Sequence, residues 1–484
     1  MNELNRVDTI IIGAGPSGLS AASVLKKHEK SVFILEKEAQ AGGKCHTFTD
    51  SLDKNNKTEW GAALIAPNYG KVIDKMQEKQ LVWEQVLPSD LSTLPFDKNL
   101  SQMSLLEKGV FGLEFTNEVR VFAMHAKKYQ NLRDKHQDLP AEYKIPFKEF
   151  AKQHHLEKIN EFSYIFVPAF GYGLMEECPT YAVLEYYGTM TLPDLIVPKL
   201  FGIQGLRGVQ NGFQELMEAI AADFDISYKS NIQSITRNDK GVTVVFESDG
   251  VLHSISANSL VLAISPLYWP KLGMELTETE QQCVDNLSWY QYPVAVVKLH
   301  GFPANHYYEY KGLTSEGLEH LALITTRDNR VDPKDGRLCT AYINLKSSQK
   351  NKSTDFVFTP EKIKQLKDEL LQVPSVTGVD ILETKVWNDY MSTLPWELRL
   401  ELDKKQMEAK TLHVGPYALG GFEDVACVWE QSHKATKEYI LQKQPKTSSL
   451  WKEVNRNLFF FSSANEKPYD GPDRSVSYSN SISG

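Results

Sequence analysis

Gly13, Gly15 and Gly18, in VDTIIIGAGPSG (Val7 to Gly18), are spaced to seat a pyrophosphate. An apolar strand runs into Gly13-Ala14-Gly15-Pro16-Ser17-Gly18, which opens a helix through about His28. Glycines there let the backbone turn tightly against a dinucleotide, and the helix N-terminus offers unpaired N–H groups and a favourable dipole. A second strand ends on Glu36 and Lys37, where a carboxylate can accept hydrogen bonds from a ribose diol. Just beyond, Gly42-Gly43-Lys44 brings more backbone to the dinucleotide and a cation that can offset phosphate charge. Metal sites and Ser/His/Asp triads find no support: the twelve histidines are scattered, and His154-His155 lies in a charged amphipathic helix.

Composition bounds the rest. With 484 residues, 42% hydrophobic and 24% charged, the chain reads as a soluble globular protein of two or three domains. A net charge of −9 argues against a nucleic-acid partner and against adhesion to an anionic membrane. Cys45, Cys178, Cys283, Cys339 and Cys427 are scattered without a CxxC pair, which reads as reduced thiols in a cytoplasmic compartment. The short polar N-terminus leaves no room for a signal peptide, and no apolar run reaches the length of a membrane span.

These residues need elements to hold them. Residues 1–85 read as β-α-β and a helix, Asn68 to Gln80. Over 86–205 strand character fades, and Val119 to His136 and Pro146 to Phe162 carry helical periodicity, a helical insertion or cap. Residues 206–287 begin with a helix, Gly208 to Asp225, then a meander turning at Asp239-Lys240-Gly241 and Asp249-Gly250. A continuously apolar segment, Asn258 to Pro266, follows as a separate buried parallel strand. Residues 288–395 alternate in period two around one helix, Pro360 to Leu371, as an antiparallel sheet with a covering helix would. Residues 396–444 add a last strand, a Gly420-Gly421 turn and a helix from about Phe422. The tail 445–484 is polar and reads as loop, with Leu458 to Phe461 docking on the body. No internal repeat is evident.

The Gly42-Gly43-Lys44 extension resembles the fingerprint of the FAD superfamily that contains amine oxidases, phytoene desaturases and protoporphyrinogen oxidases. EWGAALIAPNYGKVIDKM (Glu59 to Met76), FVPAFGYG (Phe166 to Gly173), AVLEYY (Ala182 to Tyr187) and HVGPYALGGFEDVAC (His413 to Cys427) narrow the likeness. With AGGKCHT they look like the FAD-dependent polyunsaturated fatty acid double-bond isomerases, from about residue 7 to about 443. The resemblance implies an α/β fold: a discontinuous Rossmann-like FAD-binding domain built from 1–85, 206–287 and 396–444, a helical insertion, and an antiparallel β-sheet substrate domain. It assigns to FAD Gly13, Gly15, Pro16, Ser17, Gly18, Glu36, Lys37, Gly42, Gly43, Lys44, Trp60, Gly61, Ala62, Ile232, Gly415, Phe422 and Val425. Phe170, Tyr172, Tyr186 and Tyr187 are assigned to a small lipophilic substrate, and Lys298 is the candidate catalytic lysine that superfamily amine oxidases carry near the flavin.

The implied chemistry is a redox-neutral hydride relay. A flavin takes a hydride from the doubly allylic carbon of a methylene-interrupted diene and returns it two carbons away, giving a conjugated diene. No side-chain base is needed; the protein supplies orientation, dryness and walls that tolerate a cation, for which aromatic faces are suited. No second strand-GxGxxG-helix unit is present for a nicotinamide, so oxidase, desaturase and isomerase remain, with an amine oxidase or desaturase passing electrons to oxygen as the alternative. Two departures stand out. Leu81 to Asp97, where the isomerases place an arginine for the substrate carboxylate, carries no Lys or Arg. Either Arg120 or Arg207 takes over, or the substrate is not a free fatty acid. Gly415 is followed by Pro416 where the family has an acid, so the contact there must differ.

Overall fold

The computed structural model describes residues 2–66, 69–85, 104–164, 166–188, 207–304, 308–309, 311–349 and 355–442. The chain divides into Met1–Lys437 and Glu438–Gly484; of the second unit only 438–442, the end of a helix, are described. The expected loop and docked Leu458 to Phe461 lie outside the described residues, as do 86–97 of the stretch without a cation.

The protein is α/β, with a mixed sheet for the dinucleotide and a separate antiparallel sheet. Strand Val7–Ile12 is the apolar run of the sequence, its last four residues buried. It lies parallel to Val32–Leu35 on one side and to the second half of Val251–Leu262 on the other. Asp225–Ser227 extends the sheet beyond Val32–Leu35, while Gly241–Ser248 and Asn231–Asn238 extend it as an antiparallel meander. The sequence reading separates VLHSI from NSLVL, but they form one 12-residue strand, Val251–Leu262. Ala257 is the hinge of its two partnerships, opposite Val242 in the antiparallel pair and Val7 in the parallel one. Thr411–His413 then pairs parallel with Leu260–Leu262, which returns the end of the chain to the glycine turn.

The second sheet is antiparallel throughout, and strand Ser288–His300 organises it. Period two divides this strand cleanly. Tyr290, Tyr292, Val294 and Val296 face the core shared with the inserted helices, whereas Ala295, Val297 and Leu299 pack toward Leu366 and Leu370 of helix Pro360–Leu370. The insertion contains helices Leu105–Asp134, Phe147–His154, Glu157–Ser163 and Thr180–Tyr187. The periodic stretch Pro146 to Phe162 breaks at His155, which is left-handed (φ 55°), so that buried Leu156 can start a new turn. Glu118 on the long helix accepts the N–H of Ile159 at 3.0 Å, satisfying a donor that the break exposes. Other helices are shorter than their periodicity suggests: Gly70–Glu78, Phe213–Ala221 and, at its start, Val425–Gln442.

One buried acid ties the returning strand to the meander. Glu280 receives Arg237 Nη1 at 2.6 Å and His413 Nε2 at 3.0 Å, and closes a capping box with Thr277. Burial pushes its carboxyl up, but the hydrogen bonds from Arg237 and His413 prevail and hold it far below the usual range. A depressed carboxylate adds stability above its unfolded value, near pH 4.3, and that stability is lost as pH falls further. Glu280→Gln should therefore cost about 3 kcal/mol at neutral pH, and the gap to the parent should shrink below about pH 4 in urea-unfolding measurements.

Candidate cofactor and active site

A cavity of about 960 Å³ runs from the glycine turn to the inserted helices. At one end Glu36, 5% exposed, closes the second strand. The Ala14 N–H donates to its Oε2 at 2.7 Å and the Glu38 N–H to its Oε1 at 2.9 Å. Burial raises its pKa, against those two amides. A carboxylate offers about four acceptor sites, so each oxygen keeps capacity for a ribose hydroxyl. Gly13 has φ +102°, and a Cβ on Gly43 would stand 3.2 Å from Gly15 Cα. The two glycine turns therefore close on each other with bare backbone, the surface a pyrophosphate requires. Ile232 lines the cavity beside this end, together with Tyr268 and Leu272.

In the middle stands a charged knot. Lys44 Nζ donates to Glu423 Oε1 at 2.9 Å, to the Asp389 carbonyl at 2.5 Å and to the Tyr390 carbonyl at 3.1 Å. Burial works against the Lys44 charge, but Asp389 and Glu423 raise its pKa. Burial pushes Glu423 up to about 7 and its neighbour Asp424 up to about 6. Glu423 Oε2 and Asp424 Oδ2 are buried without a hydrogen-bond partner among the described residues. Orphaned acceptors on a cavity wall fit a bound group that carries donors.

At the far end the wall is aromatic. Phe166, Phe170, Tyr172, Tyr186 and Tyr390 all line the cavity. Tyr172 stacks on Tyr390 at 6.0 Å between centroids and meets Phe422 at 5.0 Å, and Tyr186 packs on Phe422 at 4.8 Å. The glycines of AFGYG serve this wall differently from the expectation. Gly171 (φ +75°) and Gly173 (φ +101°) lie so close to the rings of Tyr292 and Tyr290 that a Cβ would approach within 2.7 and 2.6 Å. They bring the loop onto the antiparallel sheet, and Tyr292 fixes it by donating its hydroxyl to the Ala169 carbonyl at 2.6 Å.

The structure brings together on this cavity Gly13, Gly15, Pro16, Ser17, Glu36, Lys37, Gly43, Lys44, Gly61, Ala62, Phe170, Tyr172, Tyr186, Ile232 and Val425. Gly18, Gly42, Trp60, Gly415, Phe422 and Tyr187 are not part of the lining. Phe422 and Tyr187 are fully packed behind it, against Tyr186. Gly415 donates its N–H to Gln431 Oε1 at 3.0 Å. The Lys44 ammonium is committed to acids and carbonyls rather than left for a phosphate. Lys298 requires correction: it is neither in the lining nor an outward surface lysine. It shares the face of Val296 but lies two residues further along, where Nζ meets the buried Asp50 at 2.9 Å and the half-exposed Asp335 at 2.8 Å. Arg207 stacks on the Trp83 ring at 4.0 Å, and Arg120 is exposed on the long helix. Sequence reasoning missed the inner strand Lys385 to Tyr390, Tyr69, and the acids Asp389, Glu423 and Asp424. The only signal was their position, since Glu423 and Asp424 follow directly on Phe422.

A model of the family described as flavin containing amine oxidoreductase matches residues 16–304. Beta-cyclopiazonate dehydrogenase of Aspergillus flavus is 23% identical over 319 residues, 61% of this chain and 63% of that protein. All-trans-retinol 13,14-reductase of Rattus norvegicus is 36% identical over 92 residues, 18% of this chain and 15% of that protein. The chain thus spans less than two thirds of the length of either relative. A solved structure titled as a CLA-producing fatty acid isomerase from P. acnes has the same fold, with a TM-score of 0.69 at 20% identity over 90% of this chain and 98% of that one.

The charged knot yields a prediction. Lys44→Met leaves Glu423 buried beside Asp389 without its cation and should cost about 3 kcal/mol in denaturant unfolding. Adding Glu423→Gln should recover most of that loss; if the two losses simply add, the pair is not coupled.

Proposed function

The chain belongs to the flavin containing amine oxidoreductase family and is an FAD-dependent enzyme; from that premise we propose a redox-neutral double-bond isomerase acting on a lipophilic polyene of the polyunsaturated fatty-acid type. The observation that carries this reading is the aromatic end of the cofactor groove, where Phe170, Tyr172, Tyr186 and Tyr390 line the cavity and Tyr172 touches both Tyr186 and Tyr390. Gly13, Gly15, Pro16, Ser17, Glu36 and Ile232 line the end that would hold the dinucleotide, and Gly61 and Ala62 line the stretch that would take its ring system. When bound, the flavin supplies reversible two-electron exchange. Phe170, Tyr172 and Tyr186 orient an apolar chain, exclude water and present ring faces to positive charge. The commitment of Lys298 to Asp50 and Asp335 weighs against the oxidase alternative, which would use that lysine for oxygen chemistry. The CLA-producing isomerase shares the fold, which supports the choice of polyene without fixing it.

Linoleic acid or its methyl ester, mixed with the flavin-loaded protein under anaerobic conditions, should develop conjugated-diene absorbance while the flavin ends oxidised. Turnover of the ester as well as the acid is expected if no cation grips a carboxylate. Peroxide formation with amines in air, and no diene from either lipid, would overturn the reading in favour of an oxidase.

A further inference from the structure

Asp424 is the least explained charge of the cavity. It is 3% exposed and lines the cavity wall. Its Oδ1 accepts the Cys427 N–H at 3.0 Å, capping helix Val425–Gln442, while Oδ2 accepts no hydrogen bond among the described residues. Among the described residues no ion pair reaches it: Lys44 goes to its neighbour Glu423, and Arg133 goes to Glu185 at 2.5 Å. The groups that face it are Tyr69, Tyr172 and Tyr186, whose hydroxyls burial pushes up with Asp424 adding to the effect, together with Cys427 and the Glu185–Arg133 pair. The helix-end amides of Ala426 and Cys427 and the Cys427 thiol favour its charge against burial, and Oδ2 is still left without a partner among the described residues. An acid needed only as a cap would serve as well as asparagine or serine.

We propose that the Asp424 carboxylate is the counter-charge for the cation that forms on the substrate, acting electrostatically from the same wall as Tyr172 and Tyr186. The inference rests on the isomerase reading. Loss of a hydride, two electrons with one proton, leaves the five-carbon pentadienyl unit of the substrate with a positive charge. Return of the same hydride at another carbon closes the cycle with no net electrons and no proton exchanged. A fixed anion in a water-poor wall stabilises the charged stage without reorganising, and its effect is large because little solvent screens it. Ionised Asp424 is the working form. Because burial raises its pKa to about 6, turnover should fall as pH drops through that value.

Asp424→Asn and Asp424→Ser both retain a helix cap, so flavin content and Tm report whether either variant folds. The inference predicts a kcat for diene formation lowered about 100-fold, with KM little changed and the acidic limb of the pH profile abolished. Independently of turnover, the parent should bind a long-chain alkyl trimethylammonium about tenfold more tightly than its neutral tert-butyl isostere, followed by perturbation of flavin absorbance, and both variants should lose that preference. Unchanged kcat in a flavin-replete variant, or a preference that survives both substitutions, overturns the proposal. Formation of a triene with lasting flavin bleaching would also overturn it, since Asp424 would then be removing a proton. If the parent forms no diene, the isomerase reading fails by itself, and the ligand comparison still decides whether Asp424 serves cations in this cavity.

Discussion

One ammonium joins three distant parts of the sequence around the cavity. Lys44 follows the glycine doublet, Asp389 lies on the long inner strand, and Glu423 sits just before the last helix; Lys44 Nζ bonds the other two stretches to its own. Each segment owes its general course to something else: the glycine doublet to strand Val32–Leu35, paired parallel with Val7–Ile12, strand Gly378–Thr393 to its pairing with Ser288–His300, and the last segment to Thr411–His413. Their meeting point is set by this buried cation. Two acids against one lysine leave the knot short of positive charge, which is why burial can raise Glu423 to about 7. The cavity wall is therefore held by an arrangement whose charge is balanced only when a proton or a ligand joins it.

That shortage organises the site chemically. Toward the glycine turn, polar groups are backbone amides and the fixed Glu36, suited to phosphates and ribose. Toward the insertion, the wall is tyrosine and phenylalanine, and the one acid there, Asp424, lacks a cation among the described residues. A groove of this kind binds an anionic cofactor at one end and tolerates positive charge at the other. The gradient is built by topology: the dinucleotide end belongs to the mixed sheet, and the aromatic end lies where the inserted helices cover Tyr290 and Tyr292 of the antiparallel sheet.

How much of this was legible in the sequence follows from how local each signal was. The glycine turn, Glu36 and the strand periods act within a dozen residues, and the sheets and the FAD fold were readable from them. Tyr172 and Tyr186 were found through the AFGYG and EYY strings, but the reason for the glycines was not, because Tyr290 and Tyr292 lie more than a hundred residues away. Lys298 illustrates the opposite failure. The likeness to amine oxidases suggested a place near the flavin, but Lys298 lies two residues beyond Val296, which puts it against Asp50 instead of the cavity. Glu423 and Asp424 sit inside the closing segment His413 to Cys427, yet nothing in that string singled them out; their raised pKa values come from burial, which only the assembled fold creates.

The central claim is that electrons leave the substrate and come back. Anaerobic turnover of a diene deuterated at its doubly allylic carbon tests it most directly, by locating the label in the product by mass spectrometry and NMR. The account predicts a conjugated diene that retains one transferred deuterium two carbons from its origin, with the flavin oxidised at the end. A product whose transferred position carries solvent hydrogen, or label lost while the flavin stays reduced, would contradict it.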